Sequence, residues 1–211
     1  MARRKTTSTN LVYNGIIGLP YKRREYMTKT IGLICGSLRK NSYNRIIAQS
    51  LTGMDDSHQF HWIEINDLPL FNEDLEISVP ETVTSFKSAI QDVDGTIIVS
   101  PEYNSGIPGV LKNALDWASR PRESAVLSRK PVGLIGATPG GLGTVYAQMQ
   151  IREILETMQA HVLPFQKVLI SQVHEKIDSD QKVLTDEQTK RYLQRYLQQF
   201  VNWIDKTTIL D

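Results

Sequence analysis

Apolar runs that read as strands alternate along this chain with amphipathic runs that read as helices, and this alternation limits the fold more than any other feature. Thr30–Cys35 (TIGLIC), Gln59–Ile65 (QFHWIEI), Asp94–Ser100 (DGTIIVS), Lys130–Thr138 (KPVGLIGAT) and part of Val162–Ile170 (VLPFQKVLI) carry the aliphatic and β-branched residues of buried strands. Between them, Ser42–Gly53, Glu81–Val93, Gly109–Arg120 and Ala147–His161 have the character of helices. A last helix within Asp186–Ile204 places Leu193, Leu197, Phe200, Val201 and Ile204 on one face. Strands that alternate with helices form βαβ crossovers, so their sheet is parallel and covered on both faces.

Five such strands suit the flavodoxin-like order 2-1-3-4-5, giving an α/β fold that is a three-layer sandwich around a five-stranded parallel sheet. Internal repeats and low-complexity linkers are absent from the sequence, and 211 residues suit one well-buried domain better than two. The expected division is a flexible N-terminal arm over residues 1–29, with Met27 an alternative start, and one domain over 30–211.

In this topology ligands bind beyond the carboxyl ends of the strands, where the strand order reverses. Two unusual polar loops meet there: GSLRKNSYN (Gly36–Asn44) after the first strand and PEYNSGIP (Pro101–Pro108) after the third. The turn PGGLG (Pro139–Gly143) after the fourth strand lies beside them. The first loop opens a helix, whose free N–H groups and positive dipole end favour an anion. Ser37, Ser42 and Asn44 can donate to phosphate oxygens, and the planar fork of Arg39 matches phosphate geometry. The alternative is that Ser42 only caps the helix and Arg39 is solvated. Neither GxxxxGK[ST] nor GxGxxG follows the first strand, and Tyr146 stands where GGLG would need its last glycine. A mononucleotide with a terminal phosphate fits better than a dinucleotide.

Composition narrows the rest. Lys+Arg 24 against Asp+Glu 23 leaves a net charge of +1, which gives no electrostatic reason to expect nucleic acid or an anionic membrane. No apolar run reaches the length of a membrane span, and the expected location is cytoplasmic. The one cysteine, Cys35, ends a buried strand and reads as packing. His58, His61, His161 and His174 lack metal-ligand spacing, and Ser105 lies in no G-x-S-x-G elbow.

GSLR-x-x-S-x-N, PEYN-x-x-x-P-x-x-LKNA-x-DW and the intervening DLPLFNEDLE together resemble the NAD(P)H-dependent FMN reductases, a flavodoxin-like family that includes quinone, azo and chromate reductases. The resemblance spans about Thr30 to Pro164. It implies FMN as cofactor, NADPH or NADH as donor, a small-molecule electron acceptor, and a homodimer or homotetramer with the flavin near the interface. By position, Ser37, Arg39, Ser42 and Asn44, with Tyr43 between them at a variable position, match the phosphate loop. Pro101, Glu102, Tyr103, Asn104 and Ser105 match the segment along the isoalloxazine ring, and Thr138, Gly140 and Gly141 the loop along the flavin edge. Gly106 lets the backbone approach a flat ring. Glu102 is expected to orient its loop, because hydride transfer through a flavin needs no protein acid. Asp116 and Trp117 suit a cap partner and a core residue, or a contact with a second subunit. Three function classes stand at this point: a turning-over reductase, expected to be ping-pong; a non-catalytic FMN carrier, against which the neutral charge counts; and a phosphate-sensing or scaffold domain that keeps the fold without turnover.

Overall fold

The computed structural model describes residues 27–208, so all but the last three positions of the expected arm lie outside the described residues. Its framework is a parallel sheet of order β2-β1-β3-β4-β5, formed by β1 (Thr30–Cys35), β2 (Gln59–Trp62), β3 (Gly95–Val99), β4 (Pro131–Ala137) and β5 (His161–Val162). Helices α1 (Tyr43–Thr52), α2 (Glu81–Gln91), α3 (Gly109–Ala118), α4 (Val145–Thr157) and α5 (Glu187–Thr207) cover it.

The period-two alternation of the strands divides the core into two layers. Ile31, Leu33, Ile97, Val99, Ile135 and Ala137 face α1 and α5, where Ile47, Leu51, Leu197 and Phe200 meet them. Ile34, Ile98, Val132 and Leu134 face the other way, onto Phe86 and Ile90 of α2, Leu111 and Leu115 of α3, and Ile151 and Leu155 of α4. Continuously apolar strands are what burial on both faces requires.

The fifth lane of the sheet is not one strand. His161–Val162 pairs with Pro131–Val132, and β6 (Val168–Ile170) pairs with Ile135–Ala137. Between them Leu163 still donates to Val132 O at 2.8 Å. At Pro164 the chain leaves the sheet, Phe165 N turning back to Leu163 O at 2.9 Å instead of onto β4, and it returns at Val168. On that excursion Phe165 packs edge-on against Tyr196, with ring centroids 5.4 Å apart. A small antiparallel pair, β7 (Ile177–Asp178) with β8 (Val183–Leu184), precedes α5 and was not foreseen from the sequence.

Because the strands are parallel, the loops after β1, β3 and β4 emerge at one edge. The order reverses between β1 and β3, so that edge opens a cleft there. Among the described residues no helix is long and apolar enough to cross a membrane.

Candidate functional site

The loop after β1 is built to expose donors while anchoring itself. Gly36 N donates to Val99 O at 2.9 Å, which holds the strand exit against β3. Ser37 is buried; its hydroxyl lies 3.3 Å from Tyr103 Oη and accepts from Arg39 N at 3.4 Å. Ser42 is buried and caps α1, its Oγ accepting from Arg45 N at 3.4 Å. The two arginines here have different fates. Arg45 grips Glu64 with both terminal nitrogens, at 3.1 and 2.6 Å, and lies 4.3 Å over the Trp62 ring. That hydrogen-bonded guanidinium holds the Glu64 carboxyl below the ordinary carboxylate range. Arg39 forms no ion pair among the described residues, and neither does Lys40 beside it, so the loop carries two uncommitted cations, of which only Arg39 has a planar fork.

Asn44 and Tyr43 are tied into the fold behind the loop. The Asn44 carboxamide donates to Ala137 O and accepts from Ala137 N, both at 2.9 Å, in a buried position. It therefore ties the start of α1 to the end of β4. Tyr43 packs its ring against the core layer beneath α1 and α5. Both residues support the loop from behind.

The loop after β3 turns back on itself. Tyr103 and Gly106 exchange two backbone hydrogen bonds at 3.0 Å each. Asn104 and Ser105 close the reversal with φ of 49° and 58°, the left-handed region that asparagine tolerates better than most residues. Pro101 is buried, whereas Tyr103 is 46% exposed. Glu102 orients the loop as expected, its Oε2 accepting from Ala147 N at 3.0 Å. The sequence reading missed Gln150, whose Oε1 accepts from Ile107 N at 2.9 Å. No motif marks it; only its place one turn after Ala147 could have drawn attention.

After β4, Thr138 Oγ1 accepts from Gly140 N at 3.2 Å, and Gln172 N donates to Gly140 O at 3.2 Å. Close packing sits just below: a Cβ on Gly136 would lie 1.8 Å from Thr144 Oγ1 and 2.9 Å from Ser100 O. Above it the turn is open, since a Cβ on Gly141 would meet nothing within 4 Å.

The Ser37–Tyr103 contact joins the first loop to the second, and Asn44 joins the first to the fourth strand. The three predicted segments therefore lie together at the carboxyl edge of the sheet. A cavity of about 590 Å³ borders the first loop on its β2 side, lined by Ser37, Arg39, Lys40, Glu64 and Asp67 among others, with Cys35 at its edge. It brings Ser37 and Arg39 together but does not reach Ser42, Asn44, the second loop or the glycine turn. Burial pushes the Cys35 thiol up, away from thiolate chemistry. Asp116 pairs along α3 with Lys112 at 2.6 Å, an ion pair and not a cap, while Trp117 is buried, as the core reading of that residue expects.

The donor set fits a flavin mononucleotide. A free guanidinium, two serine hydroxyls and the N-terminus of α1 suit a dianionic phosphate. The exposed turn at Asn104–Ser105 and the open face at Gly141 leave room for a flat ring beside backbone groups.

The sequence model described as NADPH-dependent FMN reductase matches residues 29–175 of the chain. A 2-hydroxy-1,4-benzoquinone reductase from a Burkholderia species is 36% identical over 179 residues, covering 84% of this chain and 97% of its own. An NAD(P)H:quinone oxidoreductase from Solanum tuberosum is 39% identical, covering 80% of this chain and 89% of its own. Among solved structures, the flavoenzyme NAD(P)H:(acceptor) oxidoreductase of Paracoccus denitrificans superposes with a TM-score of 0.79 at 36% identity, covering 85% of this chain and 99% of that one. A flavodoxin from Pseudomonas aeruginosa, at 11% identity and a TM-score of 0.52, shares the fold alone.

Proposed function

We propose, for a chain that belongs to the NADPH-dependent FMN reductase family, an FMN-containing oxidoreductase that draws on NADPH or NADH and reduces a small electrophilic acceptor, a quinone foremost. The observation that carries this reading is the convergence of three loops on one cleft, with Arg39 uncommitted at one end and an exposed backbone turn at the other. Relatives described as quinone reductases support the choice of acceptor.

FMN, when bound, supplies the two-electron centre between donor and acceptor. The chain's part is to bind and orient. Arg39, the Ser37 and Ser42 hydroxyls and the amides opening α1 hold the phosphate. Backbone groups of Pro101–Ser105 meet the ring, and Thr138, Gly140 and Gly141 line its edge. Tyr43 and Asn44 brace the phosphate loop, and no side chain of the cleft acts as a catalytic acid. Donor and acceptor use one open face in turn, which makes the kinetics ping-pong.

The wider reading is a cytoplasmic homodimer or homotetramer in which residues 30–211 form the flavin domain and 1–29 an arm. One feature supports the assembly: Leu142, Tyr146 and Met149, in the turn after β4 and the start of α4, are 78%, 49% and 51% exposed.

Anaerobic mixing of the flavin-loaded protein with each nicotinamide nucleotide tests the proposal. The expected result is rapid loss of flavin absorbance, and its return on adding a quinone. Slow bleaching by both nucleotides, with tight flavin binding, would mark a carrier instead of an enzyme.

A further inference from the structure

The loop between β3 and α3 is fastened to α4 at two points, one on each side of its turn. On the near side Glu102 Oε2 accepts from Ala147 N at 3.0 Å. On the far side Gln150 Oε1 accepts from Ile107 N at 2.9 Å. Ala147 and Gln150 are three residues apart, so one turn of α4 spans the whole reversal. Between the two anchors stand Asn104 and Ser105 in the left-handed region, closed by the paired bonds of Tyr103 and Gly106. A left-handed pair without glycine persists only where its surroundings hold it.

Gln150 has no packing reason to be there. It is exposed, while Ile151 and Leu155 of the same helix fill the core. Its carboxamide lies against the turn: a Cβ on Gly106 would come 3.2 Å from Gln150 Oε1 and 3.6 Å from Nε2. Helix α4 itself begins just after the glycine-rich turn that follows β4. The same helix therefore carries two walls of the cleft.

We infer that Gln150 is a positioning residue for hydride transfer: through the Ile107 amide it fixes the Asn104–Ser105 turn, and with it the backbone groups offered to the flavin ring. This rests on the reading of that loop as the ring wall. The phosphate end of the cleft does not depend on it. Loss of the latch weakens FMN and riboflavin alike, whereas loss of a phosphate contact weakens FMN alone.

Two substitutions separate the latch from mere bulk. Gln150→Leu removes the acceptor and keeps a good helix former of similar size. Gln150→Glu keeps an oxygen for Ile107 N and adds a negative charge near the ring. Both are compared with the unaltered protein by three measurements: hydrogen exchange of the Ile107 amide in the flavin-free protein, dissociation constants for FMN and riboflavin, and the flavin midpoint potential. Gln150→Leu is expected to speed Ile107 exchange and to weaken both flavins by the same factor, about threefold to tenfold, the size of one neutral hydrogen bond. Gln150→Glu is expected to keep slow exchange and affinity, with a more negative potential because the carboxylate opposes added electrons. Unaltered flavin affinity and exchange in Gln150→Leu overturn the inference alone. Equal losses in both variants also overturn it, because the bond to Ile107 would then not be the cause. A wild-type protein that binds neither flavin overturns the reading of the cleft, and this inference with it.

Discussion

At the scale of single residues, the question is which of the loop's donors serve a ligand and which serve the fold. Composition alone made Ser37, Arg39, Ser42 and Asn44 equivalent candidates, because a sequence shows what a side chain can donate but not what it already holds. The partner of Asn44 is the backbone of Ala137, 93 residues away, and no local pattern announces it. Arg45 could have passed for a phosphate ligand as well, but it is spent on Glu64. Arg39 stays uncommitted, so its replacement gives a clean reading. Arg39→Ala removes a charge-assisted hydrogen bond worth about 1.5–3 kcal/mol. FMN affinity is expected to fall roughly tenfold to a hundredfold, at about 1.4 kcal/mol per decade. Riboflavin has the same ring without the phosphate and should bind as before. Parallel fluorescence titrations with the two flavins check this. Equal weakening of both would make Arg39 a structural residue, and no weakening would make it a solvated one.

At the scale of elements, every main strand and helix was legible in the sequence, because burial on both sheet faces leaves long apolar runs that periodicity detects. The failures are where non-local contacts decide. Pro164 lay in plain view within VLPFQKVLI, yet a proline is compatible with an edge strand, so its presence alone does not announce that the lane divides into two short pairings with β4. The motifs LKNA-x-DW and DLPLFNEDLE were both noticed, but not that each explains the other. Asn113 of α3 accepts from Phe71 N at 2.7 Å and donates to Pro69 O at 2.9 Å. Trp117 Nε1 donates to the same Pro69 oxygen at 2.8 Å. One face of α3 thus pins a loop that has no regular structure from Asp67 to Asn72. Asn113→Ala leaves the half-buried Phe71 amide without its acceptor and should cost about 1–3 kcal/mol. For a domain of this size that is roughly 2–4 °C of melting temperature per kcal/mol. Asn113→Asp keeps an oxygen for Phe71 N and should recover part of the loss. Thermal melts of the three proteins decide: an Asn113→Ala melt that matches wild type would show the loop to be held by Trp117 alone.

At the scale of the whole molecule, the described chain closes on itself at one end and stays open at the other. The Lys29–Asp205 pair joins the start of β1 to the end of α5, while Lys29 N donates to His58 Nδ1 at 3.2 Å. At the opposite edge of the sheet the cleft is flanked by Leu142, Tyr146 and Met149, apolar side chains that a solitary enzyme gains nothing by exposing. This row was invisible to the sequence reading, since helix α4 carries apolar residues on both faces and periodicity does not tell which face finds the core. A stable dimer buries about 1,200–2,000 Å² in total, with its apolar anchors near the centre. If this row is that centre, a lysine at Met149 must lose its water on association. Light scattering of the flavin-loaded protein at micromolar concentration should then report a dimer or tetramer for wild type. For Met149→Lys the concentration of half-dissociation should rise at least about tenfold, with the melting temperature of the monomer unchanged. Ile77→Lys, at a position 94% exposed and outside α4, controls for the effect of an added charge and should leave an assembly through α4 intact. A wild-type monomer with flavin bound would end the proposal of an oligomer, and an undisturbed Met149→Lys assembly would move its interface away from α4.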